Sequence, residues 1–160
     1  MEIRKAAMSD LDAVAAVEAE CFPAAEAATK AQFRERLRAY GNHFLLLFDG
    51  DALVGFIDGM VTEARDLSDE MYDDASLHRE DGPWQMIFGL NTIPARRREG
   101  LAARLMEAFL AEARQEGRLG AVLTCKARLV PYYAKFGFVD EGVSGSTHGG
   151  VVWHQMRLTF

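Results

Sequence analysis

The 160-residue chain has only two cysteines, Cys21 and Cys125. That is too few for a disulfide framework or a cysteine-based metal cluster, so no metal is expected and reduced, cytoplasmic residence is the simplest expectation. Long apolar runs are missing as well. No segment approaches the roughly 20 apolar residues that span a bilayer, and the opening MEIRKAAMSD lacks the apolar centre of a signal peptide, so no membrane partner is expected. Positive charge is not in excess: the formal net charge is −6. General nucleic-acid binding, which needs a basic face, is therefore not expected, although one local basic pocket remains compatible with that balance. The Gly-Lys-Ser/Thr of a P-loop does not occur. No internal repeat or second domain boundary is visible, and residues 1–160 have the length of one domain with a sizeable core.

What is present centres on Trp84 to Met106, WQMIFGLNTIPARRREGLAARLM. Trp84 to Thr92 reads as a buried central strand, with Gly89 marking a bulge or a close backbone approach. Arg96, Arg97 and Arg98 then precede a helix that opens at Gly100. Cations there oppose the helix macrodipole by roughly 0.3–1 kcal/mol each. An anion bound at the free N–H groups removes that conflict, and glycine lets it approach closely.

Around this stretch, Glu2 to Ala7 reads as a short strand. Asp10 to Glu20 reads as an amphipathic helix capped at Ser9, with Leu11, Val14, Ala15, Glu18 and Cys21 at helical spacing. A second helix starts at a Thr29/Gln32 capping box and carries Phe33, Leu37 and Tyr40 on one face. His43 to Phe48 and Ala52 to Val61 form a hairpin across Asp49-Gly50-Asp51. Thr62 to Pro83 is a long acidic connection, helical over Leu67 to Tyr72, either a solvated excursion or a substrate-facing loop. Gly120 to Cys125 is a second buried strand. Val130 to Phe136 is a short helix with Pro131 in its first turn, capped by Gly137. Val151 to Leu158 closes the chain as a strand whose edge is free to pair with another subunit. Strands interleaved with helices give an α/β (α+β) domain around a mixed sheet.

Arg97-x-x-Gly100-x-Ala102 after an apolar strand resembles the R-x-x-G-x-G/A signature of the GNAT N-acetyltransferases. Leu129 to Phe138, LVPYYAKFGF, resembles their downstream Y-x-x-x-G-F element. ECFPAAEAA, the LSDEM…LHREDG loop and LTCKARLVPYY are similar to the arylalkylamine (serotonin-type) N-acetyltransferases and their bacterial relatives. The resemblance implies a mostly antiparallel sheet splayed at its two central strands. It also implies acetyl-CoA as cosubstrate and a small primary amine as acceptor in a ternary complex. Two other readings stay open: a peptide or protein amine as acceptor, and a non-catalytic acyl-CoA-binding regulatory module. A monomer and a homodimer are equally compatible with the sequence.

On that resemblance, the diphosphate of CoA would meet Arg97, Arg98, Glu99, Gly100, Leu101, Ala102 and Ala103. Leu90, Asn91 and Thr92 would offer backbone groups to the pantetheine arm. Tyr133 would protonate the departing thiolate, and Tyr132 would pack or line the cofactor. The vertebrate enzymes carry two histidines where this chain has Met86 and Phe88; the insect relatives place a glutamate ahead of the second helix, where Glu26 falls, so the resemblance implies Glu26 as the candidate base. His78, His148 and Glu63 are weaker candidates. Phe22, Pro23, Met86 and Phe88 are expected to line the amine pocket.

Overall fold

The computed structural model describes residues 1–160. In chain order the elements are β1 (Glu2–Lys5), α1 (Leu11–Cys21), α2 (Lys30–Tyr40), β2 (Phe44–Asp49), β3 (Ala52–Asp58), β4 (Val61–Thr62), α3 (Glu70–Asp73), β5 (Trp84–Ile87), β6 (Gly89–Thr92), α4 (Leu101–Gln115), β7 (Gly120–Cys125), α5 (Val130–Ala134), β8 (Val139–Val143) and β9 (His154–Thr159). One sheet has the order β1-β2-β3-β6 and the other β4-β5-β7-β9-β8. Every pairing is antiparallel except that of β5 with β7.

Helix starts follow local chemistry. Thr29 and Gln32 cap α2 reciprocally, Gln32 N–H donating to Thr29 Oγ1 (3.1 Å) and Thr29 N–H to Gln32 Oε1 (2.7 Å). At α1 the expected Ser9 cap does not form. The Asp10 carboxylate instead takes the Ala7 N–H (2.8 Å) and a two-pronged bond from Arg4 (2.8 and 3.0 Å). A charge-assisted fork outcompetes a serine hydroxyl. Met8–Asp10 becomes a 3-10 turn, and the helix shifts one residue, to Leu11–Cys21.

The helices sandwich the sheets. On one side Leu105, Met106 and Phe109 of α4 pack against Leu45, Leu47, Ile57 and Leu123. On the other, Val14, Phe33 and Tyr40 of α1 and α2 cover Phe44, Phe56 and Met86. Phe33 meets Phe56 edge-on at 5.7 Å, a preferred aromatic geometry.

The two sheets share one run of chain and part within it. The expected single strand Trp84 to Thr92 breaks at Phe88. The Phe88 N–H donates to the Asp58 carbonyl (2.8 Å), yet the register partner of Asp58 is Gly89. Two residues therefore oppose one, which is a β-bulge. A Cβ on Gly89 would lie 3.1 Å from Asp58 Oδ1, so the close approach favours glycine. Beyond the bulge, Ile93 N–H bonds the Val54 carbonyl (2.9 Å). Antiparallel alternation then turns the backbone of Gly89 and Asn91 toward β3 and that of Leu90 and Thr92 outward. β7 follows β5 only as far as Ile87, opposite Leu123, and does not pair with β6. A gap opens there.

Other boundaries move for equally local reasons. Ala52 to Val61 divides into β3 and β4 because Gly59 lies on the Met86 backbone, where a Cβ would sit 1.8 Å from the carbonyl oxygen. In the acidic connection the helical turn is Glu70–Asp73 rather than Leu67 to Tyr72. The last strand begins at His154, and it lies between β7 and β8, so the free edge belongs to β8.

Candidate active site

Where the sheets part, a cavity of about 130 Å³ lies between α1, α2 and the splayed strands. The bulge contributes Phe88, Gly89 and Leu90, and β7 contributes Thr124 and Cys125. Tyr133 of α5 and Tyr72 of α3 close two sides, and Phe22, Glu26, His148 and Trp153 come from loops. The acidic connection thus supplies part of the wall. Its Tyr72 hydroxyl bonds Thr124 Oγ1 (3.0 Å), and Asp69 holds Ser146 and Thr147 of the loop that carries His148.

Of the residues expected from sequence, Tyr133, Glu26, Phe22, Phe88 and Leu90 share this cavity. Met86 does not: it is wholly buried in the core beneath α1 and α2. Pro23 is exposed, and its carbonyl accepts the N–H groups of Glu26 and Ala27, forming the turn that carries Glu26 inward. His78 faces away, bonded to Val61 N–H and Glu80, and Glu63 is exposed.

Burial pushes the Tyr133 phenol well above its ordinary pKa. It stays protonated at neutral pH, as a proton donor must. Tyr132 packs edge-on against it at 5.2 Å. Glu26 is already engaged: Lys126 Nζ lies 2.9 Å from its carboxylate. His148 Nε2 meets the Glu26 carbonyl at 2.8 Å, and Gly149 packs against the Glu26 side chain.

A second group of charges lies deeper. Glu18 of α1 accepts the Ala28 N–H (2.9 Å) and the Asn91 amide (3.0 Å). Asp58 of β3 pairs with Arg36 of α2 at 3.2 Å. Phe33 and Phe88 stack on the Arg36 guanidinium, 5.2 and 5.1 Å from its carbon. Burial, with the Asp58 charge adding to it, pushes Glu18 up to about 7. Burial likewise raises Asp58, with Arg36 opposing the rise. None of these three was singled out as functional from sequence. The available signals were a glutamate on the apolar face of α1 and an aspartate inside the apolar run LVGFIDGMV.

The start of α4 suits a phosphorylated ligand. Gly100 has φ +77°, no side chain caps the helix, and a Cβ there would meet nothing within 4 Å. Arg98 adopts φ +66°, a left-handed conformation unusual for a side-chain-bearing residue. Arg96 is committed to Asp49 (2.7 Å) and Glu99 (3.0 Å), so Glu99 is its partner and not a free group. Arg97 and Arg98 are exposed at the bare N–H groups. Leu101 is buried in the core and offers only its backbone; Ala102 and Ala103 are half-buried. A diphosphate fits this set. Along β6, Leu90 faces the gap, while the Thr92 carbonyl is occupied by Arg97 Nε and Cys21 Sγ, each at 3.3 Å. Asn91 does not fit the expected pantetheine contact, because its backbone faces β3 and its side chain holds Glu18.

Comparisons with known proteins bear on the fold and the family. The serotonin N-acetyltransferase of Mesocricetus auratus is 29% identical over 126 residues, 73% of this chain and 59% of that protein. The chain therefore spans about 59% of the length of that curated relative. Among solved structures, the loading GNATL domain of CurA from Lyngbya majuscula superposes with a TM-score of 0.86 at 16% identity, covering 99% of this chain and 96% of that one. The GphF GNAT-like decarboxylase in complex with isobutyryl-CoA gives 0.80 at 22% identity, covering 99% of both chains. The PaiA N-acetyltransferase from Thermoplasma acidophilum, in complex with coenzyme A, gives 0.73 at 17% identity over 99% and 98%. At these identities the likeness is one of fold. The acetyltransferase (GNAT) domain model itself matches residues 9–160, and by that match, which takes in the bulge, the bare α4 terminus and Tyr133, the chain belongs to the GNAT acetyltransferase family.

Proposed function

We propose that this domain transfers the acetyl group of acetyl-CoA to the primary amine of a small molecule, an arylalkylamine being the class its cavity suits best. The observation that carries the reading is the cavity at the splay, which has Tyr133 on one wall and carboxylates on another. Arg97 and Arg98 and the α4 N–H groups would hold the diphosphate, and Leu90 would align the pantetheine arm along the gap. Phe22, Phe88, Tyr72 and Trp153 give the acceptor an aromatic surround. The small volume supports a free amine over a folded protein acceptor.

The reaction needs two proton movements. A carboxylate takes one proton from the ammonium and frees the nitrogen lone pair. As the C–N bond forms and the C–S bond breaks, Tyr133 gives its proton to the sulfur and recovers one from the nitrogen. No residue need be acylated. Glu26, in the cavity wall beside Lys126, is retained as a carboxylate on the acceptor path.

The test is CoA release from acetyl-CoA with tryptamine, phenethylamine, polyamines and a lysine peptide, using the parent protein, Tyr133→Phe and Glu26→Ala. Turnover of the arylalkylamines, falling about 100-fold in Tyr133→Phe with acetyl-CoA affinity unchanged, is expected. Acetyl-CoA binding without turnover of any amine would favour an acyl-CoA-binding module. No acetyl-CoA binding would refute the reading.

A further inference from the structure

Two carboxylates and one guanidinium are buried together at the inner end of the cavity, and their charges do not balance. Glu18 is 6% exposed, Asp58 1% and Arg36 4%. Arg36 Nη1 reaches Asp58 Oδ2, and Arg36 Nη2 goes to the Tyr72 carbonyl (3.0 Å). Asp58 Oδ1 has no partner. It faces the bare Cα of Gly89, and a Cβ built there would lie 3.1 Å from it and 3.8 Å from Glu18 Oε1. Both acids therefore converge on the one cavity-lining residue that has no side chain. Buried charges in folded proteins are normally paired and hydrogen-bonded. With both acids ionised the group carries one negative charge too many, and Asp58 Oδ1 is left available to a donor in the cavity.

We propose that Glu18 and Asp58 form a subsite for the ammonium group of the acceptor, with Glu18 the group that takes its proton and Asp58 a positioning residue. This rests on the acetyltransferase reading for its chemistry but not for its binding. One positive charge brings the group to neutrality. The Ala28 N–H and the Asn91 amide fix the Glu18 carboxylate while leaving lone pairs for an ammonium. The transfer balances: one proton moves from nitrogen to a Glu18 oxygen, the nitrogen keeps its electron pair, and nothing is oxidised. Proton and charge are then shed to solvent after acetylation. Glu26 is less suited to the task because Lys126 already neutralises it.

The electrostatic surroundings support this. Asp58 from β3 raises Glu18 and Arg36 from α2 lowers it, with burial the larger effect, placing it at about 7. Tyr72 of α3, Cys125 of β7, Tyr133 of α5, and Glu26 and His148 from loops are the other titratable side chains facing the same space. An acid near 7 is neutral about half the time in the empty site and ionises when a cation arrives.

The experiment is calorimetric titration of the CoA-loaded protein with methylamine, butylamine, phenethylamine and tryptamine, each matched by its neutral alcohol. It is run at pH 6 and pH 9 in buffers of different ionisation enthalpy. At least tenfold tighter binding of the aryl amines than of 2-phenylethanol and tryptophol is expected, with roughly one to two protons released per amine at pH 6, from Glu18 and Asp58 together, and none at pH 9. Glu18→Gln should abolish the preference and most of the proton release while leaving acetyl-CoA affinity unchanged. Glu18→Asp should restore part of each. Equal binding of amine and alcohol, failure of every amine to bind, or an ammonium preference that survives Glu18→Gln would overturn the proposal. Failure of acetyl-CoA to bind, with the ammonium preference intact, would instead refute the transferase reading alone.

Discussion

Arg36 reaches only one of the two oxygens of Asp58, the Oδ2 atom at 3.2 Å, and leaves Oδ1 buried without a partner. Removing the guanidinium would strand both buried carboxylates. Breaking one side of a buried pair typically destabilises by about 3–5 kcal/mol. Arg36→Met should therefore lower stability by about that amount at pH 8 in urea unfolding. The loss should shrink at pH 4, where protonation of Glu18 and Asp58 removes the stranded charge.

Glu18 sets a second pH dependence, of opposite form to the usual carboxylate. Its folded-state pKa is about 7, above the unfolded value of 4.5. Between those values the folded chain holds a proton that the unfolded chain has lost. Stability from this group is complete below about pH 4.5, declines as pH rises, and is gone above about 7. The full swing is about 3 kcal/mol. Glu18→Gln should remove it, leaving the variant more stable than the parent at pH 8 and nearly equal at pH 4. A parent and variant that unfold in parallel at both pH values would contradict this account.

At the α4 turn, Arg98 spends conformational energy at φ +66°. Glycine would relieve about 1 kcal/mol of it. Arg98→Gly should raise or preserve the melting temperature while weakening acetyl-CoA binding and flattening its salt dependence, since one charge near the diphosphate is gone. Gly100→Val should do the reverse to stability, because φ +77° is hostile to a branched side chain.

Glu80 joins the acidic connection to the body of the fold, bonding His43 (2.8 Å), His78 (3.1 Å) and Arg118 (3.1 Å). Burial opposes ionisation, but hydrogen bonds from His43 and Asn42 hold its pKa down to about 2. The stabilisation is complete above the unfolded pKa of about 4.5 and fades as pH falls toward 2. Half the side chain is exposed, so solvent screening limits it to about 1 kcal/mol. Glu80→Gln should lose that amount at pH 7, with faster hydrogen exchange confined to residues 62–83.

The sequence carried the strand and helix order because periodicity and caps are local. Thr29 and Gln32 sit three residues apart, and the α4 face repeats at helical spacing. Ser9 looked like an equally good cap, but the competing acceptor was Asp10, whose partner Arg4 belongs to a neighbouring strand. The candidate cofactor end was legible for the same reason, since arginines, glycine and helix start are contiguous. Tyr133, Phe22 and Glu26 were legible through resemblance. Glu18, Asp58 and Arg36 were not, because each lies on a different element and acquires meaning only through the others. Met86 and Phe88 have the same parity along the strand, so only tertiary packing separates the core residue from the cavity residue.

The extra residue at Phe88 acts as a half-period phase shift in one strand. Upstream of it the chain can complete a parallel ladder with β7; downstream the same polypeptide is out of step and cannot. Deleting that residue would bring the strand back into phase, let β7 zip onto β6, and erase the opening together with everything it holds. The opening is thus encoded as a count of residues more than as a choice of side chains.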